Sequence, residues 1–182
     1  INNKLKKGMI YDSNRYILHG LLERLPVVIK DMGVVKDNEK ALIKKLKVCC
    51  QKSDIIITTG GVSVGDADYI KSALAKLGKI DFWKIAIKPG RPLAYGKIKK
   101  SYFFGLPGNP VSAVVTFQLF VKAAINKLMD VKERKNIMIN AITKDNLSKK
   151  KGRVEYKRGY LMQDKNINYV ASSGLQGSNI LS

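Results

Sequence analysis

Residues 54–68 read Asp54-Ile55-Ile56-Ile57-Thr58-Thr59-Gly60-Gly61-Val62-Ser63-Val64-Gly65-Asp66-Ala67-Asp68. The first six, β-branched from Ile55 on, have the pattern of a strand buried on both faces in a parallel sheet. The glycines that follow let backbone approach a ligand and turn N–H groups toward an anion. A helix expected over about Tyr69–Leu77 adds the positive end of its dipole. The loop lacks the Gly-Lys-Ser/Thr ending of a P-loop. It therefore reads as an oxyanion or phosphate site at a strand–loop–helix junction, with a purely structural glycine turn as the plain alternative.

Toward the N-terminus, Asp12-Ser13-Asn14 is a helix-start signal. Ile17, Leu18, Leu21, Leu22 and Leu25 follow as one apolar stripe, which Pro26 ends. Val27-Val28-Ile29 reads as a short buried strand. Asp37 or Asn38 can cap a second helix with Ala41, Leu42, Leu46 and Cys49 on its inner face.

Toward the C-terminus, Phe82–Lys88 reads as one strand, with Lys84, Ala86 and Lys88 on one face. Pro89-Gly90 and Pro92 break it, and strands are expected near Leu93–Gly96 and Tyr102–Phe104. Gly105-Leu106-Pro107-Gly108-Asn109-Pro110 is a second tight loop, opening an apolar helix from Val111 to about Leu128. This alternation predicts a three-layer α/β domain over residues 1–129 with a mostly parallel sheet. Its ligand site is expected at the strand C-terminal ends. After Met129 only short strand-like runs remain (Ile137–Thr143, Val154–Met162 and Ile167–Val170), so residues 130–182 read as part of a small β domain.

The composition narrows the chemistry. The 182 residues hold 34 Lys+Arg against 14 Asp+Glu, a net charge of +20. That favours an anionic partner. The lysines are scattered, however, and no aromatic residues interleave with the Lys149-Lys150-Lys151 run, so specific nucleic-acid binding is not expected. No uninterrupted apolar run has the length of a membrane span, and Ile1–Lys7 is not a signal peptide. Cys49 and Cys50 are neighbours without spaced partners, which fits two reduced thiols in a cytoplasmic protein. His19, the single histidine, lies on a helix. Catalysis must then rest on Asp, Lys, Arg, Ser or a metal.

Asp66 and Asp68 lie in the first loop, and Asp37 follows the strand-like Val34-Val35. Converging strand ends could let such carboxylates hold Mg2+ through one or two oxygens. Helix capping is the alternative role for Asp37 and Asp68. Lys84 and Lys88, with Arg91 past the turn, form a cationic cluster suited to an anionic ligand, or else an amphipathic edge in water.

Taken together, the chain resembles the molybdopterin molybdenumtransferase family of the MoeA and gephyrin E-domain type. The resemblance rests on Ile10-Tyr11-Asp12-Ser13-Asn14, Thr59–Tyr69, Phe82–Pro92, Gly105–Ser112, Gly152–Gly159 and Gln176-Gly177-Ser178, in the family's order. It implies a MoaB/Mog-like, molybdopterin-binding α/β domain without its first strand, followed by part of a C-terminal β domain. Two further N-terminal domains of the family are absent from this sequence, which implies a fragment of a longer, homodimeric protein. It also implies the activity: insertion of molybdate into adenylated molybdopterin with cleavage of the adenylate.

By the same resemblance, Asp37 and Asp68 serve Mg2+ or catalytic positioning, and Lys84 and Lys88 bind phosphate or molybdate. Gly60, Gly61 and Ser63 contact substrate oxyanions, and Arg91 stands where many members have Lys. Asp12, Ser13 and Asn14 line the pterin-phosphate end, Pro107, Gly108 and Asn109 shape the pocket, and Arg158 and Ser178 complete the molybdate site. An upstream Mog-type adenylyltransferase is the implied partner. Two other readings share this core fold: adenylylation by a Mog-type enzyme, and a scaffold or binding module. Val62-Ser63-Val64-Gly65 departs from the Gly-Gly-Thr-Gly loop of the Mog type.

Overall fold

A computed structural model describes residues 11–35, 38–60, 67–131 and 137–177, with backbone alone at 67–70 and 80–83. Helix α1 spans Asn14–Leu22 and α2 spans Glu39–Lys52, with Asn38 capping α2 by accepting from the Ala41 N–H. Strand β1 (Ile55–Thr59) precedes α3 (Ala67–Leu77). Strand β2 (Gly78–Lys84) then leads to β3 (Ile87–Lys88), β4 (Pro92–Ile98) and β5 (Ser101–Leu106). A single helical rod follows, built of α4 (Pro110–Thr116), a π segment (Phe117–Val121) and α5 (Lys122–Leu128). The C-terminal part holds β6 (Ile142–Thr143), β7 (Val154–Glu155), β8 (Gly159–Asp164) and β9 (Ile167–Ser172).

The central sheet has the order β1-β5-β4-β2, with β1 and β5 parallel and the β2–β4 and β4–β5 pairs antiparallel. The two-residue turn between β4 and β5 leaves room only for an antiparallel hairpin. Period-two alternation sorts its side chains to two cores. Ile56, Ala94, Ile98 and Phe103 meet Leu46, Cys49 and Cys50 of α2 and Ala73 and Leu74 of α3. Leu93, Phe104 and Leu106 face the other way, against Leu18 of α1 and Ala113, Phe117, Val121 and Ile125 of the rod. The domain is a three-layer α/β fold. Each fully buried large side chain among these contributes about 1.5–3 kcal/mol of apolar transfer. The rod is long and apolar enough to cross a bilayer by length and composition alone, but its apolar side is spent on the sheet.

Several local expectations change. Val27–Ile29 is not a strand: its backbone pairs with no neighbouring strand among the described residues, and Val28 is exposed. Phe82–Lys88 is not one strand either. β2 ends at Lys84 after two register irregularities against β4, and β3 leaves to pair with β7, so Lys84, Ala86 and Lys88 do not share one ladder face. β1 is only partly buried, with Ile56 alone fully enclosed. In the tail, Ile137 and Met138 are almost wholly exposed and outside any strand, and the expected 154–162 strand is divided between β7 and β8.

The tail forms a small sheet of order β6-β9-β8 and joins the first part through the parallel β3–β7 pair. The Val154 N–H donates to the Ala86 carbonyl (2.9 Å) and the Tyr156 N–H to the Lys88 carbonyl (2.8 Å). Gly90 locks the same turn. Its φ is +107°, and a Cβ there would lie 2.7 Å from Thr116 Cγ2, so no larger residue fits without displacing the rod.

Candidate functional site

One end of the central sheet gathers the sequence motifs. β1 and β5 are parallel and in register, Thr59 against Leu106, so Gly60 and Pro107 leave the sheet side by side. The Gly60 N–H donates to the Leu106 carbonyl (3.2 Å), and a Cβ on Gly108 would stand 3.6 Å from Gly60 Cα. Gly60 has φ +77°, the left-handed region where glycine is strain-free. β4 runs antiparallel to β5, and β2 antiparallel to β4, so the paired residues Pro92 and Lys84 reach the same end.

The start of α1 closes on this edge. Asn14 is buried, and its Nδ2 donates to the Gly108 carbonyl (2.7 Å). Its Oδ1 and the Thr58 Oγ1 are buried with no hydrogen-bond partner among the described residues. Unsatisfied buried polar atoms are costly, so their position at the motif end of the sheet fits a polar ligand. Ser13 is the N-cap residue but makes no capping bond, whereas the Asp12 carboxylate accepts from the Arg15 N–H (3.2 Å). Asp12 and Ser13 are both exposed. A cavity of about 160 Å³ lies between Pro92, Pro107, Gly108, Asn109 and Ser112.

A larger, more open cleft of about 480 Å³ adjoins the β3–β7 junction. It is lined by Lys84, Ile85, Ala86 and Arg91 of the first part together with Lys151, Gly152 and Arg153 of the tail. The Ile85 N–H donates to the Arg91 carbonyl (3.1 Å), which holds Lys84 and Arg91 on one turn. Lys88 points to a different partner: its Nζ is 3.5 Å from the Glu155 carboxylate, which also lies 4.0 Å from Lys157 Nζ. Arg158 is tied down locally. Its guanidinium donates to the Leu175 (2.7 Å) and Gly177 (3.4 Å) carbonyls, and Gln176 bonds both its backbone N–H and carbonyl.

The structure thus brings Asn14, Gly60, Lys84, Arg91, Pro107, Gly108 and Asn109 to one sheet end, and Arg158 to the Gln176-Gly177 segment. Asp37, Gly61, Ser63 and Ser178 lie outside the described residues. Asp68 is the second residue of α3, and its side chain also lies outside them. Among the described residues no three His, Cys, Asp or Glu side chains gather to hold a metal. Sequence reasoning missed Lys151, Arg153 and Glu155 as site residues. Their signal was weak, because a Lys149–Lys151 run reads as solvated charge and only the β3–β7 pairing brings it to Lys84.

The remaining titratable groups look structural. Burial pushes the Cys49 thiol up, away from a reactive thiolate, and the buried Cys50 donates to the Lys47 carbonyl (3.2 Å). His19 is exposed on α1 beside Glu23 (3.3 Å).

Comparison with known proteins adds a family to this geometry. Residues 1–127 match the sequence pattern of a family described as a probable molybdopterin binding domain. A molybdopterin molybdenumtransferase of Haemophilus influenzae is 44% identical over 184 residues, which cover 100% of this chain and 46% of that protein. The MoeA molybdopterin biosynthesis protein of Pyrococcus horikosii superposes with a TM-score of 0.64 at 32% identity, covering 72% of this chain and 32% of that one. A molybdenum cofactor biosynthesis protein of Pyrococcus furiosus gives a TM-score of 0.69 at 28% identity, covering 93% and 53%. This chain spans less than half the length of the Haemophilus relative.

Proposed function

The chain belongs to the probable molybdopterin binding domain family, and from that premise we propose that it carries the substrate-binding core of a molybdopterin molybdenumtransferase. The reaction is insertion of molybdate into adenylated molybdopterin, with cleavage of the phosphoanhydride and release of AMP. One observation supports it above the rest. Gly60, the Asn14–Gly108 contact and the Lys84–Arg91 turn occupy one end of the sheet. Together they offer buried polar atoms without a partner and, among the described residues, cations outside any ion pair to a polyanionic, polar substrate.

In this reading Gly60, Gly61 and Ser63 receive the phosphate oxygens, and Asp12, Ser13 and Asn14 the pterin end. Lys84 and Lys88 neutralise phosphate or molybdate, while Arg158 and Ser178 shape the molybdate side. Asp37 and Asp68 would hold Mg2+, which when bound supplies charge neutralisation at the phosphates. Residues 1–129 form the molybdopterin-binding domain and 130–182 a β unit docked through β3–β7. The full-length protein works as a cytoplasmic homodimer, receiving adenylated molybdopterin from a Mog-type adenylyltransferase.

The test is Asp68→Asn in a full-length protein that contains this chain. The substitution keeps shape and removes charge. Adenylated molybdopterin should still bind, while its cleavage slows by about a hundredfold or more, the usual cost of losing a charge-stabilising group. Unchanged cleavage would overturn the assignment. Lys88→Ala should instead raise the molybdate concentration needed for cofactor formation.

A further inference from the structure

Four cations line the larger cleft, and they come from distant parts of the chain. Lys84 and Arg91 sit on the turn held by the Ile85–Arg91 backbone bond, and Lys151 and Arg153 on the turn before β7. Gly152 makes that second turn at φ +106°, and the β3–β7 bonds hold it beside Ala86. Among the described residues no acidic residue lines the cleft and none of the four cations makes an ion pair. The neighbouring pair behaves differently, because Lys88 and Lys157 share Glu155. Like charges left facing one another without a carboxylate are relieved by a bound anion. Two of the four are guanidiniums, whose planar forks match phosphate oxygens two at a time.

We propose that Lys151 and Arg153 are substrate-positioning residues, the second wall of an anion subsite whose first wall is Lys84 and Arg91, and that the subsite takes a pyrophosphate-type group. The inference rests on the molybdopterin reading for the identity of the natural ligand, and on the cleft alone for its charge. It also gives the C-terminal β unit a defined role, since the β3–β7 pair carries two cations to the mouth of the α/β domain. A single phosphate engages one wall, whereas two linked phosphates span both, so pyrophosphate should bind more tightly than orthophosphate.

The experiment is calorimetric titration of the 182-residue chain with inorganic pyrophosphate and, separately, orthophosphate. Lys151→Ala/Arg153→Ala should weaken pyrophosphate binding about tenfold or more, as expected for loss of charge-assisted contacts, and abolish the preference over orthophosphate. Lys99→Ala/Lys100→Ala removes the same charge at the β4–β5 turn, at the opposite end of the sheet, and should change binding by less than about twofold once salt screens long-range fields. Arg153→Lys keeps charge without the fork and should fall between. Equal losses in both double variants, or no pyrophosphate binding by the parent chain, would overturn the subsite. Such a result would leave the cofactor-forming activity of the full-length protein standing. Loss of that activity with tight pyrophosphate binding would instead count against the molybdopterin reading alone.

Discussion

Lys88 Nζ stands 3.5 Å from the carboxylate of Glu155, across the β3–β7 strand pair that joins the two parts of the chain. Glu155 is largely buried and reaches Lys157 as well, so one carboxylate sets the position of two lysines. Glu155→Gln should leave the fold intact and free Lys88 to wander. Turnover in the full-length protein should fall about tenfold, since misplaced groups lose that much or more. Binding of pyrophosphate should hold or tighten, because a nearby negative charge is gone. An unchanged kcat would make the pair a surface contact.

Gly90 tests the packing of the same turn. With φ +107° and Thr116 Cγ2 only 2.7 Å from where a Cβ would sit, Gly90→Ala combines backbone strain with a steric clash. A loss of about 2–4 kcal/mol in chemical denaturation is expected. Gly60→Ala meets nothing within 4 Å among the described residues and carries the backbone penalty of φ +77°, so it should cost less stability.

Glu39 links α2 to α3. Its carboxyl is held below the ordinary range by the Lys76 ammonium at 2.7 Å and then by the Ser72 hydroxyl. A depressed folded pKa adds stability that is present above the unfolded pKa and lost as pH falls through the folded one. Glu39→Gln should therefore lower the denaturation midpoint slightly at neutral pH. The gap between variant and parent should close on acidification below the ordinary glutamate range. A gap that persists in acid would mean that packing, not charge, was lost.

Phe103 and Phe117 are both fully buried, on opposite faces of the sheet. Each truncation to Ala should cost about 3–5 kcal/mol. Because the two cores are separated by the sheet, the double variant should lose close to the sum. Strong non-additivity in denaturation would show that the cores communicate.

The dispersed basic surface gives a last expectation. Duplex DNA should bind weakly, with affinity falling steeply between low and moderate salt, as for phosphate contacts without base readout. Salt-resistant, sequence-specific binding in a fluorescence titration would contradict the assignment of these cations to a small anion.

How much of this was legible in the sequence follows from the range of the forces involved. The stripe Leu18–Leu22, the Asn38 cap, the β1 run and the second loop before the rod are local signals. Hydrogen bonding and periodicity act within a few residues, so these elements stand where they were expected. The motifs around Gly60, Lys84–Arg91 and Pro107–Asn109 were visible for the same reason, and the family could be recognised from their order. The sequence could not show that Phe82–Lys88 breaks at Lys84, or that Val27–Ile29 stays outside the sheet. Strand identity depends on a partner, and partners are chosen by the whole sheet. Nor could it show that Glu155 holds Lys88, or that Lys151 and Arg153 face Lys84 and Arg91. Those meetings join residues far apart in the chain through the β3–β7 bonds. The sequence by itself determined the family and the order of its motifs. Tertiary structure alone decided which charges share a cleft and which neutralise one another, because electrostatic pairing depends on distance in space and not on distance along the chain.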